Sequence, residues 1–338
     1  MTLLLPATPE NIALAAQRIK EGGLVAFPTE TVYGLGANAL DADAAARIFI
    51  AKQRPAADPL IVHLAGLEQV EQVARPISPL ARRLAEAFWP GPLTLVLPKQ
   101  PIVPERVTAG LNTVAVRVPS HPVALALIRA AETPIAAPSA NRFGKTSPTT
   151  ARHVWHDLKG RIEIILDGGS TPVGVESTVL DVSVTPPCIL RPGGVTRESL
   201  EAIIGPVSLL PSTAAPQEGL PSPGLLSKHY APRAELIFFI GADSLTGLLT
   251  RLQAEQAAGR KVGALVVNTD ADFVDKNGAL VYRLGPGLES AARRIYAGMR
   301  WLDRQGVEVI LCRDLGESGL GLAIRDRLKR AASRIIET

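Results

Sequence analysis

The sequence predicts an α/β protein of two domains: a larger mixed sheet with helices, then a smaller, doubly wound domain with a parallel sheet. Three observations carry this. Short apolar runs alternate with amphipathic helical stretches over residues 8–205 and again from 235 onward. Residues 205–234 break that rhythm with a dense run of Pro, Gly and Ser. A chain of 338 residues is also long enough for two domains. The expected division is 1–205, a Pro-rich linker at 206–234, and 235–338.

In chain order, Ile12, Leu14, Ala15, Ala16 and Ile19 recur at helical spacing between Pro9-Glu10 and Gly22-Gly23, which punctuate a helix. Residues 24–27 read as a buried strand that stops at Pro28, because proline cannot continue a central ladder. A polar cluster follows at once: Thr29, Glu30, Thr31 and Tyr33, with Gly34 and Gly36 behind it. Two readings fit this stretch: a site built at a strand end, or a strand followed by a helix that Thr29 or Thr31 caps. A helix over 41–51, with an Asp cap, then delivers Lys52, Arg54, Pro55, Asp58 and Pro59. The prolines hold that loop extended. Its two cations suit an anion, although Lys and Arg also complement a helix C-terminus. Residues 60–64 form a short strand carrying His63, which alone reads as a satisfied histidine at a strand end.

A helix over 79–89 ends at Trp89-Pro90-Gly91-Pro92, and strands follow at 93–97 and 113–119. Arg117 lies among apolar residues of the second strand. Arginine is rarely buried unpaired, so it must meet a carboxylate, from the protein or from a substrate. A helix at 122–131 and a short strand at 134–137 lead into Pro138-Ser139-Ala140-Asn141-Arg142-Phe143-Gly144-Lys145-Thr146-Ser147. The hydroxyls, amide and cations of this segment suit a phosphate or nucleotide. Thr149 or Thr150 caps the next helix, which runs through Trp155. A strand at 162–166 follows, Glu176 and Ser177 precede another, and a third ends in Arg191-Pro192-Gly193-Gly194. Polar clusters at so many strand ends imply a site at one sheet rim.

The linker ends in Lys228-His229-Tyr230-Ala231-Pro232. Beyond it, strands at 236–240, 261–267, 278–284 and 307–312 alternate with helices at 243–258, 288–305 and 321–335. No GxGxxG fingerprint accompanies them, which gives a dinucleotide role little support.

Composition narrows the class. The chain is 46% hydrophobic and 20% charged, as an ordinary globular protein is. Aromatics are only 4%, so aliphatic side chains and alanine must fill the core. The net charge of +4 permits an anionic ligand or a nucleic acid, but Lys and Arg form no long run. Cys188 and Cys312 stand far apart with no metal-ligand spacing, which argues against structural zinc and fits buried thiols in a reducing cytosol. The first residues lack a basic signal-peptide region, and no apolar run is long enough to span a bilayer, so a cytoplasmic location without membrane contact is expected. GxSxG, Walker and HExxH motifs are missing.

Taken together, Phe27-Pro28-Thr29-Glu30-Thr31-Val32-Tyr33-Gly34-Leu35-Gly36, Lys52-Gln53-Arg54-Pro55 with Pro59-Leu60 and His63, Pro90-Gly91-Pro92-Leu93-Thr94, Ala137-Pro138-Ser139-Ala140-Asn141, Glu176-Ser177-Thr178 and Arg191-Pro192-Gly193 resemble the YrdC-like family. Ser222-Pro223-Gly224 with His229-Tyr230-Ala231-Pro232 resembles the linker of its long, two-domain form, the threonylcarbamoyl-AMP synthases. The C-terminal domain matches only in position, size and alternation.

The resemblance implies a YrdC-like mixed twisted sheet followed by a Rossmann-like parallel-sheet domain. It also implies a nucleotidyltransferase that turns L-threonine, bicarbonate and ATP into L-threonylcarbamoyl-AMP, pyrophosphate and water. The product would serve N6-threonylcarbamoyladenosine formation at position 37 of tRNA, with partner transferase proteins completing the step and at most a weak tRNA contact by this chain. Residue by residue, the threonine pocket would fall on Thr31, His63, Arg117, the Ala137 backbone and Ser177. Nucleotide contacts would fall on Arg54, Asp58, Thr113, Ser139, Asn141, Ser147, Arg191 and Tyr230. Lys52 and Arg54 would be the catalytic cations facing the phosphates. Mg2+ would come with ATP, held by phosphates and water, with no dedicated metal site in the protein. The prolines of residues 211–223 would form a strap laying His229 and Tyr230 over the nucleotide. Two rivals remain at this stage. One is an RNA-binding module without ATP turnover, against which the lack of aromatic stacking runs argues. The other is a carbamoyl transferase of the hydrogenase-maturation type, which needs acylphosphatase and zinc-finger regions that this length and two cysteines do not accommodate.

Overall fold

The computed structural model describes residues 1–55, 57–210 and 229–338. The described residues form two compact units. One gathers 1–143, 147–172 and 176–210; the other gathers 144–146, 173–175 and 229–338. The predicted strap at 211–223 lies outside the described residues.

The first unit is built on an eleven-stranded mixed sheet. Its strands are β1 (Leu3–Pro6), β2 (Val25–Pro28), β3 (Tyr33–Asn38), β4 (Ile61–His63), β5 (Leu93–Pro98), β6 (Thr113–Arg117), β7 (Ile135–Ala136), β8 (Ile164–Asp167), β9 (Thr178–Asp181), β10 (Cys188–Arg191) and β11 (Ser208–Leu209). They lie side by side in the order β1-β8-β2-β3-β7-β4-β6-β5-β9-β10-β11. Helices cover the sheet because they present the periodic apolar faces seen in the sequence. Ala15, Ala16 and Ile19 of helix Pro9–Lys20 pack with Leu127 and Ile128 of helix Pro122–Ala131 against Val25, Phe27 and Leu166. A larger cluster joins Ala44, Ala45 and Ile48 of helix Ala42–Lys52 to Leu35, Val62, Leu95 and Val116.

The main helices begin where capping chemistry places them. Thr8, Asp41, Ser78, His121, Thr150 and Thr196 each accept a backbone N–H with the side chain. The ambiguity after Pro28 resolves as a hairpin, and no helix follows β2. Pro28 opposes Tyr33 of β3, while pairing of β2 with β8 is confined to Val25 and Ala26, so the missing N–H falls beyond that ladder. Gly34 and Gly36 sit inside β3 because of close approach: a Cβ on Gly36 would stand 2.7 Å from Ile135 Cγ2 and 2.8 Å from Phe27 Cε1.

The second unit holds a parallel sheet of β12 (Glu235–Ile240), β13 (Val262–Val266), β14 (Leu280–Arg283), β15 (Val309–Arg313) and β16 (Arg334–Glu337), in the order β14-β13-β15-β12-β16. Ile237, Phe239, Ala264, Val266, Val309 and Leu311 pack with Leu248 and Leu252 of helix Ser244–Ala257 and Val274 of helix Asn268–Lys276. The expected α/β class, with a large mixed sheet and a separate parallel one, is what the chain adopts. No described helix is long and apolar enough to cross a membrane.

Candidate active site

The hairpin between β2 and β3 is fixed by one hydroxyl. Thr29 Oγ1 donates to Val32 O at 2.6 Å and accepts the backbone N–H groups of Thr31 and Val32. With its proton given to Val32, Thr29 can only accept from Thr31 Oγ1, 2.8 Å away. Thr31 Oγ1 in turn accepts from Arg117 Nη1 at 3.0 Å. Arg117 Nε donates to Gly91 O at 3.2 Å, and its Nη2 lies 2.7 Å from Glu30 Oε1. The carboxylate that buried Arg117 had to find is therefore Glu30, a protein group. Burial is the largest single influence and pushes the Glu30 carboxyl up, but the Arg117 charge and the hydrogen bonds from Arg117 and the backbone together outweigh it, and the net shift is down.

His63 lies beside Arg117 in the β4–β6 ladder and opposite Ile135 of β7. It is buried, edge-on to the Phe27 ring, with Nδ1 3.2 Å from Ile61 O. Burial, helped by the Arg117 charge, lowers its pKa to about 3, so the ring is neutral. Ala137 N–H donates to Ile61 O at 2.9 Å, two residues back along β4.

The two cations of the 52–59 loop do different jobs. Lys52 is only 1% exposed, and its Nζ donates to Ser139 O and Asn141 O at 2.5 Å each. Burial, and then the Arg54 charge, hold its pKa well below the usual lysine value. Arg54 pairs with Asp58 at 2.9 Å and also donates to Asp58 O and Pro59 O. Lys52 thus ties the end of its helix to the 139–141 segment, while Arg54 closes its own loop.

Ser177 Oγ is 2.8 Å from Thr94 Oγ1, and Arg191 Nη2 donates to Ser177 O at 2.9 Å and to its Oγ at 3.2 Å. Ser147 donates to Glu176 Oε1 at 2.5 Å. Thr113 stands four residues before Arg117, on the same face of β6 and about 13 Å away along the strand. Tyr230 belongs to the second unit, 5.7 Å from the Tyr296 ring centroid, with the Arg327 guanidinium 5.2 Å from its own.

The predicted residues are therefore not a single row of strand ends. His63, Arg117 and Arg191 close their strands, whereas Thr31 and Ser139 lie at loops beside the start of β3. Sequence reading missed the partners: Glu30, Thr94 and Glu176 were visible in the motifs but had no assigned role. Glu30 carried the one usable signal, a carboxylate between two threonines and within reach of a buried arginine.

Known proteins resemble this chain along its length. A family model described as "Telomere recombination" matches residues 17–193, and one described as "Threonylcarbamoyl-AMP synthase, C-terminal domain" matches 195–333. The threonylcarbamoyl-AMP synthase of Pyrococcus abyssi (strain GE5 / Orsay) is 50% identical over 332 residues, which is 97% of this chain and 96% of that one. The threonylcarbamoyl-AMP synthase of Bacillus subtilis (strain 168) is 46% identical over 334 residues, 97% of this chain and 94% of its own. Among solved structures, P. abyssi Sua5 complexed with L-threonine matches with a TM-score of 0.93 and 47% identity, over 100% of both chains. This chain belongs to the threonylcarbamoyl-AMP synthase family.

Proposed function

We propose that the chain joins L-threonine, bicarbonate and ATP into L-threonylcarbamoyl-AMP, releasing pyrophosphate and water. The carrying observation is the setting of Arg117. Guanidinium has five N–H donors; Nε donates to Gly91 O and Nη1 to Thr31 Oγ1, while Glu30 faces Nη2 as an ion pair. The remaining Nη N–H groups are proposed to receive a substrate carboxylate, from a guanidinium held in orientation by these contacts. Neutral His63 beside it adds no competing charge. Ser177, held by Thr94 and Arg191, offers the threonine a hydroxyl partner. The bound relative named above supports the threonine assignment.

The chemistry requires no protein nucleophile. The threonine amine, once deprotonated, attacks the bicarbonate-derived carbon; water leaves and a carbamate forms. A carbamate oxygen then attacks the α-phosphorus of ATP, and pyrophosphate departs. Catalysis is by positioning and charge. Arg54 and Arg191 are the cations proposed for the phosphates. Lys52 acts through Ser139 and Asn141, keeping the nucleotide segment in place. Mg2+ would accompany ATP and neutralise phosphate charge. The nearby carboxylates of Asp58 and Glu176 already serve Arg54 and Ser147, which fits an ion held by phosphate oxygens and water. The product would pass to a transferase acting on tRNA.

The test is to incubate the chain with 13C-bicarbonate, L-threonine and Mg-ATP and to read products by mass spectrometry. A threonyl adenylate derivative carrying one 13C is expected. ATP hydrolysis without a labelled adduct would overturn the proposal.

A further inference from the structure

Three side chains at the β2–β3 hairpin form a hydrogen-bonded row whose direction is fixed from both ends. Val32 O carries no proton, so its 2.6 Å contact with Thr29 Oγ1 uses the Thr29 proton. Thr29 therefore receives, at 2.8 Å, the one proton that Thr31 Oγ1 has to give. At the other end Arg117 has only donors, so the 3.0 Å contact from its Nη1 takes a lone pair of Thr31. The row runs from Arg117 to Thr31, to Thr29, to Val32 O. Its three side chains are buried, which shields the row from bulk water.

This direction limits what Thr31 can do for a substrate. A hydroxyl has one proton and two lone pairs. The Thr31 proton is committed to Thr29 and one lone pair to Arg117, so its remaining lone pair can only accept a hydrogen bond. A substrate carboxylate is itself an acceptor and would repel it. In an amino acid whose carboxylate sits on Arg117, the nearest donor is the α-ammonium, on the carbon bonded to the carboxylate. A side-chain hydroxyl stands one bond farther away. Thr31 lies beside that seat, because its own donor is Arg117 Nη1.

We infer that Thr31 receives the α-ammonium of L-threonine and not its carboxylate, and that Thr29 is the positioning residue that imposes this by taking the Thr31 proton. The inference rests on the threonine reading given above and refines it. Held on Thr31, the substrate nitrogen keeps one orientation as it loses its proton, which is what catalysis by positioning requires. Without the Thr29 hydroxyl, Thr31 is free to turn its proton outward, and this point of the site no longer distinguishes an ammonium from a carboxylate.

The test titrates three ligands into the full chain by calorimetry: L-threonine, L-2-aminobutanoate, which lacks the hydroxyl, and (3R)-3-hydroxybutanoate, which lacks the amine. Thr31→Val is expected to weaken the first two by about 10- to 100-fold more than the third, the scale of one hydrogen bond to a charged group. Retained binding of the third ligand shows the pocket intact. Thr29→Val is expected to give the same pattern to a smaller degree, and Thr29→Ser to restore natural binding. The Thr29 backbone N–H still bonds Val32 O, at 3.3 Å, and keeps the turn closed in Thr29→Val. An equal loss for all three ligands in Thr31→Val would place Thr31 on the carboxylate and overturn the inference. A loss confined to L-threonine and (3R)-3-hydroxybutanoate would place it on the substrate hydroxyl and overturn the inference equally. Thr29→Val that binds all three like the natural chain would overturn the positioning role of Thr29. A natural chain that binds none of the three would overturn the threonine reading, and this inference with it.

Discussion

Glu30 and Arg117 form a buried ion pair, 2.7 Å from Oε1 to Nη2, between segments at opposite ends of the sheet. Glu30 precedes the start of β3, Arg117 ends β6, and the two strands point the same way, three steps apart. Each step in a sheet turns by about 20–25°, so three turn by about 60–75°. The ion pair thus joins the β2–β3 hairpin to the end of a strand three places away in the sheet.

Removing one partner from such a pair strands the other charge. Glu30→Gln and Arg117→Met are each expected to lower stability by about 3–5 kcal/mol. The double variant is expected to lose clearly less than the sum of the two. Urea unfolding of the four forms checks this, and strict additivity would contradict a coupled pair.

The two titrations set in at different pH values and overlap below pH 4.5. His63 has a folded pKa of about 3 against an ordinary 6.5. Below 6.5 the unfolded chain takes up a proton that the fold refuses, so stability falls as pH drops from 6.5 to 3. The slope is about 1.4 kcal/mol per pH unit. Glu30 has a depressed pKa, so its contribution is present above 4.5 and is lost as pH falls below that value. His63→Asn is expected to reduce the slope between pH 6 and 5, leaving the part due to His121, whose burial also lowers its pKa, and the acid loss at lower pH. Denaturation midpoints across that range read both.

Lys52 separates two kinds of role. If it holds the 139–141 segment, Lys52→Met leaves two carbonyls unpaired, at about 1–3 kcal/mol each. The variant is then expected to lose stability and to raise KM for ATP more than it lowers kcat. A stable variant with kcat alone reduced would instead indicate a phosphate contact.

Gly36→Ala drives a methyl group toward Ile135 and Phe27, and Phe27 backs His63. Overpacking of this size costs about 1–3 kcal/mol. A lower Tm is expected, and an unchanged Tm would show that the β2–β3 hairpin is looser than its contacts indicate.

Much of this molecule was legible in sequence because local signals agreed. Proline and glycine bracketed helix Pro9–Lys20, an aspartate capped Ala42–Lys52, and β-branched runs marked β4 and β6. Strand β3 was hidden because its glycines serve tertiary contact with Ile135 and Phe27, which no local preference reports. Edge strands β1 and β16 are short and half exposed, so they carry no strong pattern. At the site, motif order assigned Arg117, His63 and Ser177 to one pocket; the β4–β6 ladder sets His63 beside Arg117, and Ser177 contacts Thr94 and Arg191. The identity of the Arg117 partner depended on tertiary pairing across three strand positions. The division of labour between Lys52 and Arg54 depended on which carbonyls came within reach, and neither is written in spacing.

The most direct measurement is pyrophosphate release from Mg-ATP and bicarbonate, with and without L-threonine, for the natural chain and Arg117→Ala. The account predicts release that requires threonine and is lost in the variant, with nucleotide binding retained. Release indifferent to threonine, or unchanged in Arg117→Ala, would contradict it.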